Sequence, residues 1–312
     1  MRTLIHLSDL HFGRTDDAII EPLIAQAHAL RPDLVVVSGD LTQRARAAQF
    51  IAARRFLDAL PQPQLVVPGN HDVPLFNVAA RLLQPLRKYR RHIDADLHPV
   101  YQDEEMVVVG INTARALTIK DGRVNDRQIE LTRRQLAAAG EHRVKIIVTH
   151  HPFDLPPGPQ HHGRVGQAVP AMRAFALCGA DLLLAGHVHA SAAISSAGNH
   201  PIPGYAALVV QAGTATSTRG RGETNTFNVL QVEAHRIVVH RLAWEAERLT
   251  FVLAGSQTFV QRGNAWCETE AGSPPQAAVT PVAPVASGTS AAHPRPGTAT
   301  GSGPSAAGSS PG

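Results

Sequence analysis

Five separated stretches of the sequence carry side chains of the kinds that bind metal ions. Carboxylate, imidazole and carboxamide groups occur in them and thiolates do not, a donor set that suits divalent manganese, iron or zinc. Two such ions sharing one carboxylate would activate a water near neutral pH and bind the oxygens of a phosphate ester, so metal-dependent phosphoester hydrolysis is the leading prediction. The predicted ligands are Asp9, His11, Asp40, Asn70, His150, His187 and His189.

The spacing within these stretches suggests a division of roles. Asp9 and His11 are separated by one residue, so a loop can wrap both around one ion. Asp40 can bridge two ions through its two oxygens, at the separation of roughly 3.5–4 Å typical of two-metal hydrolases, and the hydroxide held between them is the predicted nucleophile. His71 is the predicted proton donor to the leaving alkoxide, and Asp72 is predicted to orient or charge its imidazole.

Each stretch taken alone has a simpler explanation. Asp40 after Gly39 could cap a helix, because a short carboxylate accepts from free amides there. The sequence at 69–72 is rich in turn formers, and His187 and His189 could be exposed loop residues. Their joint occurrence in this order, each after an apolar run, favours one shared metal site.

Every candidate ligand follows a short run rich in β-branched or other apolar residues that is typical of a buried strand. In open α/β sheets the carboxyl ends of such strands form the edge where ligands bind, which explains how distant residues can meet. The stretches that combine a run with its polar residues are 3–9, 33–40, 64–72, 144–150 and 181–189.

Helices are predicted between these strands from apolar residues at helical spacing, at 16–30, 43–60 and 126–139. The alternation of strand and helix implies right-handed crossovers and parallel pairing. Residues 74–98 are predicted to be irregular and partly helical, and 106–111 to form a further strand.

The pattern changes after His189. Short alternating runs at 206–211, 226–232 and 236–242 predict antiparallel strands that form a second sheet. A loop rich in Pro, Gly and His at 153–166 is long enough to overhang a site. We therefore expect two sheets packed face to face with helices outside, in one domain over residues 1–265.

Composition limits the class of protein. The chain has 312 residues, 44% hydrophobic and 17% charged, enough for a sizeable core. Residues 271–312 consist almost wholly of Ala, Pro, Gly, Ser, Thr and Val, so we predict a disordered tail. Because this tail cannot build a core, it is expected to be a dispensable extension rather than a partner arm.

Charge and cysteine content indicate the partners and the compartment. Lys and Arg number 29 against 25 Asp and Glu, an excess of four that demands neither a nucleic-acid nor a membrane partner. The run at 87–91 is expected to be a solvated helix face, with phosphate steering as the alternative. Cys178 and Cys267 are not spaced as in a disulfide framework or a thiolate metal site. The chain begins directly with a predicted strand, and no apolar run reaches transmembrane length. A cytoplasmic location is therefore expected.

Taken together, the motifs D-x-H, G-D, G-N-H-D, H and G-H-x-H resemble the calcineurin-like metallophosphoesterases over residues 1–245. The resemblance implies an α/β fold, a four-layer α/β/β/α sandwich with two mixed β-sheets. It implies His71 as the acid or transition-state stabiliser, and His151 as a loop residue or a residue outside the ligand set. It also implies that one ion is held by Asp9, His11, Asp40 and His189, and the other by Asp40, Asn70, His150 and His187.

Within that family the stretches 6–11, 110–113 and 212–215, together with Asp72, look most like the bacterial cyclic-nucleotide phosphodiesterases. The implied partner is a small phosphodiester, a 3′,5′-cyclic nucleotide. Asn112 is a candidate for the rim of the site, although a strand-end Asn is typically a turn residue.

Three other functions compete with this interpretation. A DNA repair nuclease is disfavoured because the sequence has no basic surface interleaved with aromatic residues, so no stable nucleic-acid partner is expected. A UDP-sugar-lipid pyrophosphatase would need an apolar cap from residues 74–98, whereas we expect Phe76, Leu82, Leu83 and Leu86 to pack onto the core. A non-catalytic scaffold is disfavoured because no ligand position is lost.

Overall fold

The computed structural model describes residues 1–156, 163–198, 201–219 and 223–269, in which strands and helices alternate. The strands are β1 Arg2–Leu7, β2 Leu34–Ser38, β3 Gln64–Val67, β4 Val100–Gln102, β5 Met106–Gly110, β6 Val144–Val148, β7 Leu182–Ala185, β8 Ala192–Ser195, β9 Tyr205–Ala206, β10 Leu208–Gln211, β11 Thr226–Glu233, β12 Arg236–Glu245, β13 Thr250–Arg262 and β14 Asn264–Glu268. The helices are α1 Asp17–Leu30, α2 Ala47–Ala59, α3 Val78–Leu83, α4 Arg87–His92, α5 Asp126–Ala138 and α6 Ala168–Leu177.

These strands form two mixed sheets. The first has the order β3-β2-β1-β11-β12-β13-β14-β9, and the second has the order β4-β5-β6-β7-β10-β8. β1, β2 and β3 run parallel in the first sheet, as do β5, β6, β7 and β10 in the second. Within each sheet, the carboxyl ends of these parallel strands therefore lie at one edge.

The prediction that the strands after His189 form a separate antiparallel sheet was wrong. The strand after His189 that begins at Leu208 pairs in parallel with β7 and so extends the second sheet. β11 instead pairs antiparallel with β1 and carries β12, β13 and β14 into the first sheet. The free edge of β1 explains this arrangement, because β2 occupies only one of its two sides.

Three apolar clusters separate four layers. The side chains alternate along each strand, so Leu4 and Val36 face the second sheet whereas Ile5 and Val37 face α1 and α2. The outer face of the second sheet packs on α5 and α6, with Phe175 among the buried residues. The four-layer α/β/β/α sandwich with two mixed sheets is thus confirmed.

The elements differ from expectation at a few places. α6 was not predicted, and β13 and β14 extend the first sheet to Glu268, beyond the expected boundary at residue 265. The predicted disordered tail at 271–312 and positions 157–162 of the overhanging loop lie outside the described residues. Over the described ranges no helix is long and apolar enough to cross a membrane, and Cys178 and Cys267 are free thiols.

Candidate metal centre

The predicted ligands lie just beyond the carboxyl ends of β1, β2, β3, β6 and β7, where the two sheets meet. Backbone hydrogen bonds hold the loops that leave these strands against one another. The Asp9 amide donates to the Gly39 carbonyl at 3.1 Å, and the Gly186 amide donates to the His150 carbonyl at 3.1 Å. Within each sheet, the loops that carry the ligands are therefore fixed relative to one another by the main chain.

One group of donor atoms is formed by Asp9, His11 and His189. The Asp9 Oδ1 atom lies 3.5 Å from His11 Nε2 and 3.4 Å from His189 Nε2. The two imidazole rings stack with their centroids 5.2 Å apart, so both present a nitrogen to the same carboxylate. All three side chains are buried.

A second group surrounds His150. Its Nε2 atom lies 3.1 Å from Asn70 Oδ1, 3.3 Å from His187 Nδ1 and 3.4 Å from Asp40 Oδ2. The same Asp40 oxygen lies 3.8 Å from His11 Nε2 in the first group. Asp40 is thus the side chain that joins the two groups.

The donor atoms of the first group fit a metal ion. The Asp9 Oδ1 atom and both ring nitrogens of His11 are buried and have no hydrogen-bond partner. Leaving such groups unsatisfied costs about 1–3 kcal/mol each, a cost that ion coordination removes. Nitrogen and oxygen ligands about 2.0–2.2 Å from an ion lie roughly 3–3.6 Å from one another, which is the spacing seen between these atoms.

The backbone at the ligands is strained in a consistent way. Nine non-glycine residues of the described chain have a positive φ, a conformation that L-residues rarely adopt, and five of them are predicted ligands. Strain of this kind persists only where the surrounding structure enforces it, and it concentrates at functional sites. The five are Asp9 at 53°, His11 at 51°, Asp40 at 52°, His187 at 73° and His189 at 59°.

Two glycines are required by the close approach of the ligand loops. A Cβ atom on Gly69 would collide with the carboxylate and main chain of Asp40, and one on Gly186 would collide with the side chains of Ser8 and Asp9. The glycine that precedes Asn70 and the one that precedes His187 therefore provide the space in which the ligands converge.

Hydrogen bonds outside the ligand set orient two of the imidazoles. The Nδ1 atom of His150 donates to the Ser38 carbonyl at 2.8 Å, which directs Nε2 toward Asn70 and Asp40. The Nδ1 atom of His189 lies 2.9 Å from Thr214 Oγ1, so its Nε2 atom is directed toward Asp9. Such partners fix the tautomer that a metal-binding histidine needs.

The electrostatics of the site favour bound positive charge. Burial raises the pKa of Asp9, but the nearby imidazoles, His189 first, outweigh this effect and hold that pKa below its usual range. The pKa of Asp40 is lowered in the same way, mainly by His150. Burial opposes a charge on His150, yet the Asp40 carboxylate raises the pKa of this imidazole to about 9. Both carboxylates are therefore ionised at neutral pH.

His71 lies beside the first group rather than within it. Its amide donates to Asp40 Oδ1 at 2.8 Å, and its ring packs edge-on against His11 with centroids 4.9 Å apart. The Nδ1 atom lies 2.9 Å from the Gln43 carbonyl and 3.2 Å from Arg44 Nη1. The shorter of these two contacts, to a carbonyl that can only accept, favours a proton on Nδ1, and Nε2 then accepts from Arg219 Nη1 at 3.0 Å.

Asp72 does not have the predicted contact with the neighbouring imidazole. Its buried carboxylate accepts from the amides of Leu41, Thr42 and Gly69 at 2.9–3.1 Å and from the Thr42 hydroxyl at 2.9 Å, and no hydrogen bond among the described residues joins it to the His71 ring. Burial is the main cause that raises its pKa to about 6. Asp72 fixes the loop after β2 against the loop after β3.

His151 and Asn112 take up positions outside the ligand set. His151 Nδ1 lies 2.7 Å from Thr113 Oγ1, and its Nε2 lies 2.9 Å from the Lys120 carbonyl, so both ring nitrogens have partners. The Asn112 side chain accepts from the Ala114 amide at 2.9 Å, as a turn residue does. Neither presents a free donor atom to the metal centre.

Sequence reasoning missed two arginines beside His71. Arg219 Nη1 lies 3.0 Å from His71 Nε2, and Arg44 approaches the opposite side of the same ring. Neither arginine forms an ion pair with a carboxylate in the described ranges. Their cationic groups border a cavity of about 190 Å³ lined by Gln43, Arg44, Asn70, His71, Val73, Leu75, Arg81, Ile119, Lys120 and Arg219.

Sequence comparison relates the chain to two bacterial phosphodiesterases. It is 29% identical over 166 residues to the glycerophosphodiester phosphodiesterase GpdQ of Enterobacter lignolyticus (strain SCF1), a match that covers 49% of this chain and 58% of that relative's length. It is 27% identical over 205 residues to the 3′,5′-cyclic adenosine monophosphate phosphodiesterase CpdA of Escherichia coli (strain K12), covering 60% of this chain and 69% of that one.

Solved structures share the fold at low identity. A dimetal phosphatase from Danio rerio superposes with a TM-score of 0.56 at 14% identity, over 76% of this chain and 95% of that one. The purple acid phosphatase PPD1 from yellow lupin seeds superposes with a TM-score of 0.59 at 10% identity, over 82% of this chain and 53% of that one. The model of the calcineurin-like phosphoesterase family matches residues 2–191, and the chain belongs to that family.

Proposed function

We propose that this protein is a dimetal phosphodiesterase. The observation that carries the proposal is that two groups of donor atoms, on side chains that are buried except for Asn70, share the Asp40 carboxylate. Asp9, His11 and His189 with Asp40 would hold one divalent ion. Asn70, His150 and His187 with Asp40 would hold the other, as the family resemblance implies.

Two divalent ions, manganese, iron or zinc, would supply positive charge for the phosphoryl oxygens and lower the pKa of a bound water. The chain's own residues define the rest of the reaction. Asp40 and the strained loops that carry it position the centre, while the buried surroundings exclude bulk water. His71 and Arg219 flank the side of the centre where the 190 Å³ cavity lies, and there they can contact the phosphoryl group.

The His71 ring contacts Arg219, whereas the sequence predicts Asp72 as its partner. The guanidinium is planar and always charged, which suits it to phosphate oxygens. With Nδ1 held by the Gln43 carbonyl, the ring directs Nε2 toward Arg219. We propose that Arg219, held in place by the hydrogen bond that it donates to His71 Nε2, stabilises the negative charge that develops on the leaving oxygen.

We further propose a 3′,5′-cyclic nucleotide as the substrate and the cytoplasm as the location. The similarity to CpdA supports the substrate, and the similarity to GpdQ makes a glycerophosphodiester its nearest rival. The two free thiols agree with a reducing compartment.

The test is a side-by-side assay of cyclic AMP, a glycerophosphodiester, bis(p-nitrophenyl) phosphate, single-stranded DNA and a nucleotide-diphospho-lipid with manganese, iron or zinc supplied. We expect cyclic AMP to have the highest kcat/KM. A higher value for another substrate would replace the proposed substrate. A chain that binds no metal and hydrolyses none of them would instead be a scaffold.

A further inference from the structure

Two segments beside the metal centre expose large apolar side chains to solvent. They contain six of the fourteen exposed large hydrophobic residues in the described chain. The expectation that this region packs onto the core is correct only for Leu86, which is buried. Contiguous exposed apolar surface marks an interaction site more often than isolated residues do. We name as the apolar rim the residues Phe76, Val78, Leu82, Leu83, Leu117 and Ile119.

The apolar rim adjoins a strongly basic helix. Residues 73–93 contain five Arg and Lys residues and no Asp or Glu. Arg87, Lys88, Arg90 and Arg91 on α4 are exposed. Apolar and basic groups share one groove of about 490 Å³, since Leu83 lines it together with Arg87 and Lys88.

Hydrogen bonds fix the two segments of the rim to each other and to the metal centre. The Arg81 guanidinium in α3 donates to the carbonyls of Ala116 at 2.6 Å and of Thr118, which joins α3 to the loop that bears the rest of the rim. The Asn70 amide donates to the Ile119 carbonyl at 3.3 Å. A candidate metal ligand and a residue of the apolar rim are therefore in direct contact.

We propose that the apolar rim and the basic α4 dock this protein on an anionic phospholipid surface, with the opening of the metal centre next to the headgroups. Apolar side chains that enter the boundary of the acyl chains and arginines that meet anionic headgroups are the two components of interfacial binding. The cytoplasmic leaflet carries the negative charge that such a surface needs.

Charge and residue type separate this partner from two others. A two-fold symmetric pair of chains would bring α4 close to its own copy, because such an interface uses the same patch twice, and like charges would repel. A single-stranded nucleic acid would need aromatic platforms for its bases, whereas the apolar rim is aliphatic except for Phe76. A lipid surface satisfies both the aliphatic and the basic groups.

Vesicle sedimentation of the full chain tests the proposal, with phosphatidylcholine vesicles compared with mixed phosphatidylcholine and phosphatidylglycerol vesicles. We expect binding to the anionic vesicles, weaker at high salt. The double variant Phe76→Ser with Leu83→Ser should lose most of it. Arg87→Ser with Arg91→Ser should weaken it about fivefold per charge removed.

Matched controls lie on α6, which packs on the outer face of the second sheet. Leu177 is 86% exposed against 81% for Leu83, and Arg173 is exposed as Arg87 is. Leu177→Ser and Arg173→Ser should bind vesicles like the wild type. Hydrolysis of bis(p-nitrophenyl) phosphate without vesicles should be unchanged in all variants, which keeps this test separate from that of the proposed function.

Several results would overturn the proposal. They are an absence of anionic-vesicle binding by the wild type, equal binding to neutral vesicles, or equal losses in the α6 controls. A solution dimer that Leu83→Ser dissociates would assign the apolar rim to a second copy, and stronger retention on single-stranded DNA would assign it to nucleic acid.

Discussion

The guanidinium of Arg219 lies 3.0 Å from the imidazole of His71, although 148 residues separate them in the chain. The loop that carries Arg219 is anchored on the loop after β1, where the Thr218 amide donates to the Arg14 carbonyl at 3.1 Å. Burial lowers the pKa of Arg219, with a neighbouring arginine adding to the effect. A half-buried cation held beside an imidazole at the candidate metal centre is placed to meet an anion.

Replacement of Arg219 should reduce turnover without changing metal content. We expect Arg219→Met to lower kcat by about 10²–10³, the cost of removing one donor to developing negative charge, and Arg219→Lys to recover part of it. Because the two residues act together, Arg219→Met with His71→Asn should be non-additive. Steady-state kinetics of these three variants and of His71→Asn alone check this, with Arg173→Met as the control. Equal kcat in Arg219→Met and the wild type would refute it.

The two ligand groups should respond differently to substitution. Asn70→Ala removes a ligand from one ion only, so the purified chain should retain about half of its bound metal. Asp40→Asn weakens both metal sites, so this variant should retain little bound metal. Elemental analysis of the metal content after gel filtration measures this, and similar stoichiometries for the two variants would contradict the bridging role of Asp40.

A single methyl group at Gly186 should disrupt the first metal group. The new Cβ would collide with Ser8 and Asp9, so Gly186→Ala should lower metal affinity sharply. Gly198 has open space around its Cβ position and a permitted backbone conformation, which makes Gly198→Ala the matched control. Titration with manganese compares the two, and the prediction fails if both bind the metal equally well.

Asp72 should matter for stability more than for chemistry. Asp72→Asn replaces an acceptor of four hydrogen bonds by a group with one acceptor oxygen, and we expect a loss of about 3 kcal/mol in the free energy of unfolding. His71→Asn should leave that free energy nearly unchanged while it reduces turnover. Denaturant unfolding of both variants checks the contrast. If Asp72→Asn were as stable as the wild type, a catalytic role for Asp72 would be favoured instead.

His6 should make the protein sensitive to acid. Burial lowers its pKa to about 3 in the folded chain, against an opposing effect of Asp9, whereas the unfolded chain takes up this proton below about 6.5. The unfolded state therefore gains stability as the pH falls from about 6.5 to 3, by up to about 1.4 kcal/mol per unit from this group.

The His6→Gln variant isolates that effect, since an amide can still bond to the Ser38 hydroxyl. We expect its unfolding free energy to decline less steeply with acid than that of the wild type. Parallel pH dependences for the two chains would show that His6 is not kept neutral by burial.

The sequence was sufficient to predict that the candidate ligands follow strand ends at one edge of the sheets, because strand ends depend on local patterns such as the apolar run before Asp9. It could not place Arg219 or Thr214, whose roles arise only when loops distant in the chain pack together. The sheet assignment of β11 failed for the same reason, since the choice of β1 as its partner is a long-range contact. Leu83 is exposed although its side chain is apolar, and only the folded chain shows this exposure.

Anomalous diffraction from crystals grown with manganese tests the central claim most directly. We predict two peaks about 3.5–4 Å apart with the Asp40 carboxylate between them. His11 and His189 should contact one peak, and His150 and His187 the other. A single peak, or two peaks without Asp40 between them, would contradict the account.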